Sequence, residues 1–122
     1  MNFKVTVNKK EEGVFILKLS GSLDTDTYLE LEKVALPLIN SSLKAIILDM
    51  QDLDYISSLG LSAIFKIKSA LEKNKAALLI TNLKPKIHQV FNLIKALPEF
   101  LFETMQEADE YLDKFLSQIE KE

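Results

Sequence analysis

Apolar residues recur along this 122-residue chain at two spacings, and the changes from one to the other mark its elements. Phe3, Val5 and Val7 alternate with Lys4, Thr6 and Asn8, the period of a half-buried strand. A polar turn, Lys9 to Gly13, leads to a second strand, Val14 to Leu19, and the two are read as an antiparallel hairpin. Ser20 to Thr25 is a loop that ends in good helix-capping residues. Leu31, Val34, Ala35 and Leu38 then fall at i, i+3, i+4 and i+7, the apolar face of a helix over about 25–39. Pro37 lies inside that pattern and predicts a kink or an early end, because it has no N–H and its ring clashes one turn back.

Ala45 to Met50 is a continuous apolar run of strand length, which predicts a central strand buried on both faces. The chain turns polar from Asp49 to Asp54, passes through Ser57 and Ser58, and enters a second helix over about 58–73. Leu61, Ile64, Ile67 and Leu71 line its inner face, and Ser62, Lys66, Ser69 and Lys73 its outer one. Ala76 to Thr81 is a fourth strand, and Pro85 suits the first position of a third helix over about 86–96, with Ile87, Val90, Phe91 and Ile94 inward. Leu97-Pro98-Glu99 stops that helix, and Phe100 to Glu103 is a short last strand. A fourth helix over about 106–120 turns Ala108, Tyr111, Leu112, Phe115 and Ile119 inward. The order β-β-α-β-α-β-α-β-α predicts an α/β fold in one domain over 1–122, with a mixed sheet of about five strands and four helices. Ile46, Leu48, Leu61, Ile64, Val90 and Leu112 are its expected core.

Composition narrows the function. The hydrophobic fraction of 48% fits a globular chain. Fifteen basic residues against eighteen acidic ones give a net charge of −3, which supplies no large basic patch for nucleic acid. The chain has no cysteine, hence no disulfide, thiolate chemistry or cysteine-based metal site. No apolar run approaches the roughly 18–20 residues of a membrane span, so no direct membrane insertion is expected. Met1-Asn2-Phe3-Lys4 has no signal-peptide apolar core, and a cytoplasmic location is expected.

Catalytic readings find little to stand on. His88 is the only histidine, in the first turn of the third helix, and cannot build a zinc site with the usual ligands. A Ser-His-Asp triad would join Ser58 to His88 from separate βα units, with no Gly-x-Ser-x-Gly elbow. Three glycines write no phosphate cradle. Asp49, Asp52 and Asp54 invite a Mg²⁺-binding receiver, but Asp24 comes alone and no lysine follows the last strand, so they are read as turn caps. No catalytic residue, metal site or cofactor is expected. A serine at a helix start is most simply an N-cap. The unpaired N–H groups and partial positive charge there also make it a place where a phosphate on a serine is tolerated.

Ser57-Ser58-Leu59-Gly60-Leu61 after an acidic strand end, together with Leu19-Ser20-Gly21-Ser22-Leu23-Asp24, resembles the anti-sigma factor antagonists of the STAS domain class. Those proteins open a helix with Asp-Ser-Ser/Thr-Gly-Leu, and the first serine after the Asp is regulatory. Here the Asp is Ser57 and the second Ser/Thr is Leu59. The resemblance implies a non-enzymatic regulatory module phosphorylated on Ser58, with Ser57 second to it. Its unphosphorylated form would bind an anti-sigma factor that is also a serine kinase and so release a sigma factor. A serine phosphatase would reset the switch. The expected partner-binding residues are Ser22, Asp24, Asp54, Ser57, Ser58, Leu59, Gly60 and Leu61. The alternative is a phosphorylation-independent STAS docking module of a signalling assembly, or an accessory protein of a membrane transporter.

Overall fold

A computed structural model describes residues 2–93, 101–102 and 104–121. Its strands are β1 (Phe3–Glu11), β2 (Val14–Leu23), β3 (Ala45–Ile56), β4 (Ala77–Thr81) and β5 (Leu101–Phe102), and its helices α1 (Tyr28–Ala35), α2 (Ser58–Lys73), α3 (Pro85–Leu93) and α4 (Met105–Lys121). The strands form one sheet in chain order, β1 to β5. The first pair is antiparallel and every later pair parallel, which is the mixed α/β sheet expected from the alternation of elements.

The tight turn at Gly13 makes the hairpin and starts the parallel part. Gly13 has φ +78°, a conformation that favours a residue without a Cβ. Its carbonyl accepts hydrogen bonds from the N–H groups of Lys44 (2.8 Å) and Ala45 (3.1 Å), which pins the entrance of β3 beside β2. β3 is the middle strand, and Ala45, Ile46, Ile47, Leu48 and Met50 are wholly buried. Alternation then divides the apolar residues between two cores. Leu17, Leu19, Ile46, Leu48, Met50 and Ile80 face Leu31, Leu61, Ile64, Ile67, Ile87 and Phe91 of α1, α2 and α3. Val14, Ala45, Ile47 and Leu79 face Ala108 and Leu112 of α4. Each fully buried aliphatic side chain contributes roughly 1.5–3 kcal/mol.

The largest departure from the sequence reading lies after Met50. The residues after the expected strand end at Met50, read as a loop, are strand as far as Ile56, and the expected loop Ser20 to Leu23 is strand beside them. The cause is two bulges. Lys18 pairs with Asp49 but Ser20 with Asp52, and Gly21 pairs with Leu53 but Ser22 with Tyr55, so β3 carries one extra residue at each shift. The core positions Ile46, Leu48, Met50, Leu53 and Ile56 are therefore spaced by two, two, three and three residues. A period of two breaks there although the strand does not.

Smaller corrections concern helix ends and edges. α1 begins at Tyr28 rather than near 25, and Pro37 lies in a 3₁₀ turn, Leu36–Leu38, that closes the helix early as its missing N–H requires. Of the six expected core residues, Val90 is only half-buried, because Ile87 and Phe91 supply the inner contact of α3 and Val90 falls on its rim. Tyr111 is 42% exposed, since Ala108 and Leu112 carry α4's contact with the sheet. The expected stop at Leu97-Pro98-Glu99, residues 94–96 of the third helix, and residues 100 and 103 of the last strand lie outside the described residues.

Candidate functional site

The end of the sheet where β2, β3 and β4 finish collects the residues singled out in the sequence. The N–H of Ser57 donates to the Leu23 carbonyl at 3.0 Å, which sets the start of α2 against the end of β2. Ser57 is the N-cap, with φ −99° and ψ 175°, and its Oγ accepts a hydrogen bond from the Gly60 N–H at 3.2 Å. Gly60 is needed for this approach, because a Cβ there would lie 2.5 Å from the Leu23 carbonyl oxygen. Ser58 is the first residue of the helix and is exposed, and no hydrogen bond engages its hydroxyl among the described residues. The capping role expected of Ser58 in the simplest reading thus belongs to Ser57.

The adjoining loop is closed by its own side chains. Thr27 Oγ1 accepts from the Asp24 N–H at 2.9 Å and donates to the Ser22 carbonyl at 2.7 Å. Asp24 Oδ1 accepts from the Asp26 N–H at 2.9 Å. The three aspartates of β3 each have separate partners. Asp49 Oδ1 accepts from the Gln51 N–H and from Asn82 Nδ2, both at 3.1 Å. Asp52 pairs with Lys18 at 3.3 Å. Asp54 pairs with Lys84, and the hydrogen bond from Lys84, then its charge, hold the Asp54 carboxyl below its ordinary range. A lowered carboxyl pKa means that the pair is in place at neutral pH and is lost as pH falls through that lowered value. Of the three carboxylates read as turn caps, only Asp49 accepts from a nearby backbone N–H, while Asp52 and Asp54 form ion pairs. No group of three metal-ligating side chains occurs among the described residues, and His88 is exposed on α3.

Three large apolar side chains stand in solvent at this end: Leu29 of α1 (51% exposed), Tyr55 of β3 (50%) and Leu59 of α2 (40%). An ion pair between Lys66 and Glu32 at 3.0 Å ties α2 to α1, with the Glu32 side chain only 11% exposed. Leu29 lies one turn before Glu32, and Leu59 two turns before Lys66, so the two leucines share the end of the helix pair at which both helices begin.

Of the expected contact residues, Ser58 and Leu59 are exposed, and Asp24, Asp54 and Ser57 are partly so. Ser22, Gly60 and Leu61 are buried and shape the surface from beneath. Leu29 and Tyr55 were not among the sequence candidates. The signal for Leu29 was its place off the stripe of Leu31, Val34, Ala35 and Leu38; Tyr55 stood in an acidic stretch read as loop.

The profile of the STAS domain matches residues 6–108, and the chain belongs to the STAS domain family. Within that class its curated relatives include anti-sigma factor antagonists. It is 29% identical over 105 residues to BtrV of Bordetella bronchiseptica, a provisionally named anti-sigma factor antagonist, covering 86% of this chain and 90% of BtrV. It is 26% identical over 93 residues to the anti-sigma-B factor antagonist of Staphylococcus aureus, covering 76% of this chain and 85% of that protein. In fold it matches the anti-sigma factor antagonist SpoIIAA in its unphosphorylated form, with a TM-score of 0.79 at 18% identity over 91% of this chain and 97% of the other. No helix among the described residues is long and apolar enough to cross a membrane.

Proposed function

We propose that this protein is an anti-sigma factor antagonist switched by phosphorylation of Ser58. Its unphosphorylated form binds an anti-sigma factor that is also a serine kinase, and that binding releases a sigma factor. The observation that carries the reading is the division of labour at the start of α2. Ser57 spends its hydroxyl on the cap, while Ser58 presents a free one in the first turn, beside exposed Leu59 and Tyr55. Docking is by the apolar trio Leu29, Tyr55 and Leu59, bordered by Asp24, Asp26 and Glu30, for which no ion pair exists among the described residues. That border suits a basic group on the partner.

The kinase step transfers the γ-phosphoryl group of ATP to Ser58 Oγ; the hydroxyl loses its proton and ADP leaves. The product carries about −1.5 to −2 additional charge. Free protein tolerates it, because the helix start offers N–H groups and a favourable dipole. The docked complex does not, because the phosphate must be desolvated against apolar contacts beside Asp24 and Asp26. A penalty of about 3 kcal/mol already weakens binding more than a hundredfold. A serine phosphatase reverses the modification by hydrolysis.

The test incubates the chain with each purified anti-sigma factor kinase of the source genome and ATP, and locates the phosphate by mass spectrometry. Label on Ser58, loss of binding on labelling, retained binding by Ser58→Ala and weak binding by Ser58→Asp are the expected results. Label on Ser57 alone, or undiminished labelling of Ser58→Ala, overturns the assignment. Binding without any labelling favours a docking module with no switch.

A further inference from the structure

The charges at the ends of the three middle strands are sorted by side. After β2 come Asp24, Asp26 and Glu30 of the loop and first turn of α1. At the end of β3 and the start of α2 stand the exposed Tyr55 and Leu59, while the acids of that strand end, Asp52 and Asp54, are paired with Lys18 and Lys84. After β4 come Lys84 and Lys86, at the turn into α3. β3 lies between β2 and β4, so the acidic loop and the basic turn leave the sheet on opposite sides of Tyr55 and Leu59.

The basic side is held in place by its surroundings. Asn82 donates to Asp49 of β3 at 3.1 Å, and the Lys84 carbonyl accepts from the N–H groups of Ile87 (2.9 Å) and His88 (3.0 Å). Ile87 is 2% exposed and anchors the first turn of α3 in the core. Lys84 is neutralised by Asp54, but its side chain remains 37% exposed. Lys86 is exposed and makes no ion pair among the described residues, and its charge reaches Asp54 only as the weakest influence on that carboxyl. The segment therefore carries one surplus positive charge on a fixed backbone at the edge of the docking surface.

We propose that Lys86, with Lys84 beside it, is a specificity-determining contact that receives an acidic segment of the protein partner, on the side of the face opposite to Asp24, Asp26 and Glu30. The inference rests on the reading that this end of the sheet docks a protein partner. It adds that the face is polar across the strands, so a partner fits in one orientation only. A surface that is basic throughout is rejected at Lys86, and one that is acidic throughout is rejected at Asp24 and Asp26.

The test uses the full chain and whichever anti-sigma factor kinase it binds, without ATP, and measures Kd and association rate at low and physiological salt. Lys86→Glu is expected to weaken binding about tenfold, mostly through slower association, and to flatten the salt dependence. Lys86→Arg is expected to bind like the wild type, and Lys84→Glu/Lys86→Glu to bind more weakly than the single variant. Lys86 is exposed, so an unchanged unfolding midpoint for Lys86→Glu shows that the fold is intact. Binding by Lys86→Glu within twofold of the wild type overturns the proposal while leaving the docking face standing. So does an equal loss in Lys86→Arg. A wild-type chain that binds none of the kinases overturns the docking reading and this proposal with it.

Discussion

Ser57 and Ser58 are neighbours of identical chemistry with different work to do. The extended backbone of Ser57 turns its Oγ back onto the Gly60 N–H, whereas Ser58 has entered the helix and turns outward. Removing the cap leaves a helix N–H unsatisfied, so Ser57→Ala is expected to lower stability by about 0.5–2 kcal/mol. Ser58→Ala removes an exposed hydroxyl and is expected to stay within about 0.5 kcal/mol of the wild type. Urea denaturation of both variants checks this, and the opposite order would reassign the cap. The resemblance to the family motif singled out Ser58 by its position. Which hydroxyl was left over depended on one backbone angle, which two adjacent serines do not reveal.

At the scale of elements, α2 connects the exposed serine to the core. Leu61, Ile64, Ile67 and Leu71 are all buried, as their spacing required. Leu61→Ala is expected to cost about 2–5 kcal/mol in chemical denaturation, the range for truncating a core leucine. A loss under about 1 kcal/mol would mean that this face is not packed as described. β3 teaches the converse. Its first half announces itself by apolar continuity, but its second half hides behind Asp52 and Asp54, which are partly or fully exposed, and behind two bulges that reset the alternation. The bulges carry Tyr55 to an exposed position and bring Ile56 back to the core one residue before the cap. The geometry of the site therefore depends on irregularities in the strand that leads to it.

At the scale of the molecule, the two ends of the sheet differ. One end holds Asp24, Leu29, Tyr55, Ser58, Leu59, Lys84 and Lys86. The other has an open cleft of about 880 Å³ lined by Ser41, Ser42, Lys44, Asn74, Lys75 and Phe115 among others. If docking uses the first end, amide shifts on adding the anti-sigma factor kinase should cluster at residues 24–30, 55–59 and 84–86. Amides of Ser41 to Lys44 and of Asn74 and Lys75 should stay unmoved. Changes centred on the cleft or on α4 would point to another docking mode.

The sequence by itself determined the order of the elements, the central place of Ala45 to Met50, the buried face of α2 and the place of the paired serines at its start. All of these follow from local periodicity, from short-range capping chemistry or from a short motif. The tertiary structure alone decided how far β2 and β3 extend, because a bulge is a relation between two paired strands and leaves no fixed signature in either. It also decided that Ser22, Gly60 and Leu61 lie beneath the surface while Leu29 and Tyr55 form part of it. Exposure depends on what the sheet and its neighbouring helices cover. The separation of acidic from basic residues likewise belongs to strand order, since Asp24 and Lys86 are distant along the chain and reach one end of the sheet only because β2, β3 and β4 lie side by side.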